Sequence, residues 1–258
     1  MAPVLAFDIE TIPDCAGIRS LYNLPADLPD ADVAELAFQK RRVSTGSDFL
    51  PPHLQRIIVI GCVLREGDNV QVFSIAEPER DEPAIIQKFF DGIDKYTPQL
   101  VSWNGTGFDL PVLNCRMLLC GGCAVRFWDQ GEDDREFRYN NYVNRYHARH
   151  LDLMDVLAMY QPRNNVPLDE MARLAGFPGK LGMGGAAVWE QYRKGEIRRI
   201  RDYCETDCAN TYLLYLRFQL QRGAFTRDQY SQECNLLKTT LESQNLPHWR
   251  EFLSLWKT

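Results

Sequence analysis

The sequence predicts an α/β fold on a mixed sheet, antiparallel at first and then crossing over through helices. Three observations predict it. A buried apolar strand is followed by two β-branched runs joined by a tight polar turn, the pattern of a hairpin. Beyond the hairpin, apolar strand-like runs alternate with segments of helical period, as crossover connections require. The last third of the chain carries helical patterning almost throughout.

Each element has its own justification. Val4 to Phe7 is a short apolar run that ends in Asp8-Ile9-Glu10, a buried strand with acids at its exit. Residues 11–55 are rich in Pro and Asp and read as irregular, with one helix near Asp30–Arg41 and a mobile loop over Ser44–Pro52. Arg56–Leu64 is strongly β-branched, Arg65–Asn69 is a turn and Val70–Ile75 is the returning strand. Over Glu82–Tyr96, Ile85, Ile86, Phe89, Phe90 and Ile93 fall on one helical stripe. Leu100–Trp103 is another buried strand, running into the turn Asn104–Gly107. A helix over Leu110–Leu119 follows and stops at Gly121-Gly122. Residues 124–149 are polar and give no clear assignment. His150–Tyr160 begins as a strand and turns helical, and helices are expected over 168–175, 185–194, 196–222 and 227–243. Thr226 with Gln229 forms a capping box for the last of these. No internal repeat or linker interrupts the chain, so residues 1–258 read as a single domain with a helical C-terminal portion.

Composition narrows the function. The chain has 258 residues, 45% hydrophobic and 25% charged, the profile of a globular protein. No apolar run reaches the roughly 20 residues of a membrane span, and the start lacks a secretory signal. Eight scattered cysteines in a chain with ample core favour free thiols and a reducing cytoplasm. The net charge of −6 argues against a passive, basic coat for nucleic acid. It leaves open an enzyme whose acids hold metal while a local basic rim holds phosphates.

Three acidic motifs stand out. In Phe7-Asp8-Ile9-Glu10-Thr11, the two acids share one face of a strand. Such a pair at ~4 Å costs about 4 kcal/mol at an effective dielectric near 20 unless a cation lies nearby. Asn104-Gly105-Thr106-Gly107-Phe108-Asp109 leaves a buried strand and ends in an Asp at a helix start, where a plain N-cap is the ordinary reading. Tyr203-Cys204-Glu205-Thr206-Asp207 puts Tyr203 and Asp207 one turn apart on a helix whose apolar continuation packs on the sheet. Taken together, Asp8, Glu10, Asp109 and Asp207 bring four carboxylates toward one cleft. Oxygen donors alone select hard divalent ions, Mg²⁺ or Mn²⁺, and two such ions form the clamp for in-line phosphodiester hydrolysis.

On these residues the sequence resembles the DEDD superfamily of 3′–5′ exonucleases. FDIET, NGTGFD and YCETD are similar to its three motifs, and the tyrosine four residues before the last Asp resembles the tyrosine subtype. The spacing of Asn104, Phe108 and Asp109, the stretch HLDLMDVL at 150–157 and the Gly-rich approach through YRKGEI resemble stand-alone bacterial exonucleases related to the proofreading domain of family B DNA polymerases. The resemblance implies a ribonuclease H-like fold, a mixed five-stranded sheet flanked by helices. It implies two divalent metal ions, Mg²⁺ or Mn²⁺. Asp8, Glu10 and Asp207 would hold the ion that activates water. Asp8 would bridge to the second ion, Asp109 would act through water, and Tyr203 would orient the nucleophile. The implied substrate is a nucleic acid with a free 3′ end, single-stranded DNA first and RNA as the alternative, met by the backbone at Ile9 and Thr11 and by Asn104 and Phe108. A catalytically idle binding module of the same fold is the remaining alternative, and repair or end-trimming is implied by the family alone.

Weaker features complete the reading. Arg193, Lys194, Arg198, Arg199 and Arg201 form a basic cluster before Tyr203, with Arg198 and Arg199 the expected phosphate contacts. Lys40–Arg42 and Arg145–His150 are further basic patches, and Trp103, Tyr142, Tyr146 and Trp189 are possible stacking surfaces. Cys120 and Cys123 read as incidental cysteines at a helix end. His150 with Asp152 reads as a structural pair beside the sheet.

Overall fold

The computed structural model describes residues 3–257. Its sheet has five strands in the order β3-β2-β1-β4-β5, with β1 (Val4–Pro13) in the middle. β2 (Gln55–Glu66) and β3 (Asn69–Ala76) continue antiparallel on one side as the expected hairpin. β4 (Gln99–Ser102) and β5 (His150–Asp152) continue parallel on the other. This is the mixed sheet of a ribonuclease H-like α/β fold.

Alternation along β1 sorts its side chains onto two layers. Leu5, Phe7 and Ile9 face a core with α3 (Glu82–Tyr96) and α4 (Asp109–Cys120). Val4 and Ala6 face α9 (Ile197–Gln221) on the opposite side. Asp8 and Glu10 keep that second phase, so they point into the α9 layer. β1 is longer than expected: ten residues rather than four, so the acids stand in mid-strand and not at its exit. The reason is its neighbour, since β2 pairs with β1 along its full length, through a register shift between Glu10 and Thr11.

Residues 11–55 are not irregular. α1 (Cys15–Tyr22) and α2 (Asp30–Thr45) close over a small core of Cys15, Ile18, Val33, Ala34, Ala37, Leu50 and Leu54. The Asp and Pro content that suggested loops supplies helix starts, with Asp14 capping α1 by accepting from Gly17 N at 3.0 Å and Pro29 preceding α2. The expected loop over Ser44–Pro52 is shorter, because Ser44 and Thr45 end α2 and Leu50 is buried. Arg116 bolts this segment to the body, pairing with Asp14 at 2.6 Å and Glu82 at 2.5 Å.

The unassigned stretch 124–149 holds α5 (Val125–Trp128) and a 3-10 turn over Arg135–Arg138, and is otherwise mostly turns anchored by buried Phe127, Phe137 and Tyr142. α6 (Leu153–Leu157), α7 (Leu168–Leu174) and α8 (Val188–Arg193) are brief. α10 (Arg227–Gln244) starts with the expected Thr226–Gln229 capping box. α11 (Pro247–Leu255), not foreseen, packs Trp249 and Phe252 beneath α9. No helix among the described residues is long and apolar enough to cross a membrane.

Candidate active site

The site begins with a missing side chain. Gly61 on β2 lies opposite Asp8 on β1. A Cβ there would sit 2.7 Å from Cys208 Sγ, 2.9 Å from Cys204 Sγ and 3.0 Å from the Cys204 carbonyl. Only glycine lets α9 approach the sheet this closely. Cys204 Sγ consequently reaches the Asp8 carbonyl at 3.5 Å and its carboxylate at 3.8 Å. Asp8, Glu10 and Cys204 offer donor atoms within 4.8 Å of one another.

Asp109 arrives from the other layer. It is the first residue of α4, and Phe108 rather than Asp109 holds the N-cap position. The carboxylate therefore caps nothing. It reaches across to accept from the Ile9 amide at 3.1 Å, which ties the second motif to the first. The preceding loop is equally fixed. Asp152, from β5, accepts from the amides of Asn104 and Thr106, each at 2.9 Å, and from the Thr106 hydroxyl at 2.7 Å. Gly105 is required by contact, since a Cβ would lie 2.2 Å from Ser102 Oγ. His150 instead pairs with Ser102 Oγ at 2.8 Å, so His150 and Asp152 each support the loop by a separate route.

α9 supplies Tyr203 and Asp207, both buried, and a lysine that sequence patterning did not reveal joins them. Lys180 Nζ lies 3.1 Å from Asp207 Oδ2 and donates to the Tyr203 hydroxyl. Its placement follows from Asn210, one turn beyond Asp207. The Asn210 amide grips both Gly179 N, at 3.1 Å, and Gly179 O, at 2.9 Å. The next residue is thereby aimed at the acids.

The electrostatics follow from burial. Asp8 and Glu10 are held well above the ordinary carboxylate range, chiefly by burial. Asp109 and Asp207 add to the shift at Asp8, and Asp8 and Asp207 add to it at Glu10, while Lys180 opposes both shifts. Burial pushes Asp109 up to about 7, and it raises Asp207 against the pull of Lys180. Four carboxylates thus share one locality with a single ammonium among them. Asp207 Oδ1 is buried without a hydrogen-bond partner among the described residues. Four carboxylates short of positive charge, one with an orphaned oxygen and beside a Cys204 thiol that burial keeps protonated, fit hard divalent cations.

The expected nucleic-acid contacts divide. Asn104 is exposed, and Phe108 is half-buried against exposed Phe49, ring centroids 5.2 Å apart. Arg198 and Arg199 are exposed and form no ion pair among the described residues. Lys194 and Arg201 of the same cluster are engaged by Glu190 and Glu79. Ile9 is buried and its amide is occupied by Asp109, which withdraws both from a ligand. Thr11 donates its hydroxyl to Gln55 at 2.8 Å. Of the candidate stacking aromatics, Trp103 and Tyr142 are core residues, Trp189, on α8, is half-buried against the core, and Tyr146 is exposed. Cys120 ends α4 and Gly121 caps it in the left-handed conformation. Lys180, Cys204 and Phe49 were missed, because each acts through a contact distant in sequence.

No curated protein matches the chain. A family model described as "Predicted 3'-5' exonuclease related to the exonuclease domain of PolB" matches residues 47–256. The matched stretch contains Asp109, Lys180, Tyr203 and Asp207, and Asp8 and Glu10 lie before it. The chain belongs to this family of predicted 3′–5′ exonucleases related to the exonuclease domain of PolB.

Proposed function

We propose that the protein is a metal-dependent 3′–5′ exonuclease of the tyrosine subtype, removing nucleoside 5′-monophosphates from nucleic-acid 3′ ends, single-stranded DNA first. The observation that carries this is the convergence of four carboxylates from three separate chain segments: Asp8, Glu10 and Asp207 beside the Tyr203 hydroxyl and Lys180, with Asp109 adjoining Asp8. Asp8, Glu10, Asp109 and Asp207 would hold Mg²⁺ or Mn²⁺. Bound there, the ions supply a lowered pKa for the attacking water and neutralise charge on the departing 3′-oxygen.

The protein's own part is positional. Tyr203 is held far above the ordinary phenol range by burial and by Asp207, Glu10 and Asp8, so it keeps its proton. Lys180 donates to the phenol oxygen, which directs the O–H away from the ammonium. The hydroxyl is then fixed to donate to a water aligned with the scissile phosphorus. Asn104 and the Phe49–Phe108 pair offer a polar edge and a stacking surface for the terminal nucleotide, and Arg198 and Arg199 offer phosphate contacts.

Digestion of 5′-labelled DNA and RNA oligomers, single- and double-stranded, with Mg²⁺ or Mn²⁺ tests the reading. A ladder shortening from the 3′ end is expected, with Asp207→Ala slower by more than ~100-fold, beyond what loss of a supporting partner costs. Full activity in Asp207→Ala would sink it. Faster digestion of the RNA would reassign the substrate.

A further inference from the structure

At 3.6 residues per turn, Asp202 and Glu205 point away from Tyr203 and Asp207, toward the other flank of α9. There α11 sets His248 between them. Its Nδ1 lies 3.3 Å from Asp202 Oδ1 and its Nε2 lies 3.4 Å from Glu205 Oε2. The imidazole is only 10% exposed, packs on the Trp249 ring at 4.4 Å, and has a buried Nε2 with no hydrogen-bond partner. Glu205 Oε1 is taken by Ser74 Oγ at 2.6 Å, which leaves Oε2 aimed at the ring. One donor atom from each of the three side chains lies within 4.8 Å of the others.

We propose that Asp202, Glu205 and His248 form a second metal site, for a zinc-class ion, separate from the acids around Tyr203. The donor chemistry distinguishes the two. Imidazole nitrogen suits Zn²⁺, Co²⁺ and Ni²⁺, whereas Mg²⁺ prefers oxygen alone. One ion takes one ring nitrogen: through Nε2, the 3.4 Å to Glu205 Oε2 matches the about 3.3–3.6 Å donor spacing of a tetrahedral ion with bonds of about 2.0–2.2 Å, and Asp202 joins from within 4.8 Å. Asp202, 38% exposed, leaves the ion a route in. Water fills the fourth position. Arg198 and Arg201 are the cations near Asp202. Arg201 itself is turned to Glu79 and Ser74. A bound ion would clamp α11 to the turn of α9 next to Tyr203 and Asp207.

Calorimetric titration of the full chain with Zn²⁺, in saturating Mg²⁺, tests this. One Zn²⁺ equivalent is expected in the wild type and in Asp8→Asn, weakened more than ~100-fold in His248→Gln and in Asp202→Asn. At a hundred-fold excess over its Kd, Zn²⁺ should raise the wild-type Tm by about 5–10 °C. Co²⁺ should give the intense visible bands of a tetrahedral site in the wild type and not in His248→Gln. Unchanged Zn²⁺ binding in both variants, or binding lost only in Asp8→Asn, would overturn the proposal and leave His248 an ordinary partner of two carboxylates. Metal-free melting shows whether His248→Gln folds, and Asp202→Asn, altered at a partly exposed side chain, carries the test if it does not. Every readout is binding or melting, so it stands whether or not the exonuclease assay succeeds.

Discussion

Tyr203 accepts from Lys180 at its oxygen, and burial with Asp207 keeps its proton in place, so on the proposed reading its O–H serves as a donor and not as a base. Tyr203→Phe should therefore lower kcat about 100-fold with KM almost unchanged, read by single-turnover digestion. The shape of the pH–rate profile should survive, because Tyr203 does not titrate over the working range in the wild type. His150 gives a residue-scale test of stability. Burial lowers its pKa to about 4, against the weaker pull of Asp152 and Asp155. The unfolded chain protonates this imidazole below the ordinary 6.5 while the folded one does not, so its own contribution opposes folding increasingly as pH falls from 6.5 toward 4, against the opposite slope of the buried carboxylates. Urea melts across that interval should show His150→Gln gaining stability relative to the wild type as pH falls.

At the scale of elements, the approach of α9 to the sheet depends on Gly61. Gly61→Ala would place a methyl against two sulfurs and a backbone carbonyl on α9. Overpacking of this kind costs about 1–3 kcal/mol, and the displaced helix would carry Tyr203 and Asp207 away from Asp8 and Glu10. The expected result is a modest fall in Tm with a far larger fall in nuclease rate, compared by melting and digestion on one preparation. The same contact explains what sequence patterning could and could not show. β2, β3 and α3 were legible because local period alone decides them. β1 was read too short, since its polar half is a strand only because β2 pairs with it. α1 and α11 were missed for a related reason. α1 is eight residues with two buried side chains, and α11 is nine with two. Helices so short hold by packing and caps rather than by propensity.

For the whole molecule, the acids were legible as motifs and their counter-charge was not. Asp8, Glu10, Asp109, Tyr203 and Asp207 sit in compact signatures, whereas Lys180 reaches them through a clasp between Asn210 and Gly179, 31 residues apart. Its placement makes stability a function of cations. Asp109, pushed up to about 7 by burial, keeps in the folded state a proton that the unfolded chain releases above 3.8. Metal-free stability should accordingly fall as pH rises from 3.8 to about 7, and the Tm gained from Mg²⁺ should grow over the same interval. Lys180→Met should lower the metal-free Tm by several degrees and enlarge that Mg²⁺ gain, both measured by calorimetric scanning.

A tethered ammonium is also a competitor. Lys180 cannot diffuse away from Asp207, so it occupies the acids at an effective concentration that a short linkage sets at the millimolar level or above. On the proposed reading, free divalent ions would have to displace or share that contact before hydrolysis. Activity should then rise with divalent concentration from a threshold, leaving a chain that stays folded but silent when such ions are scarce.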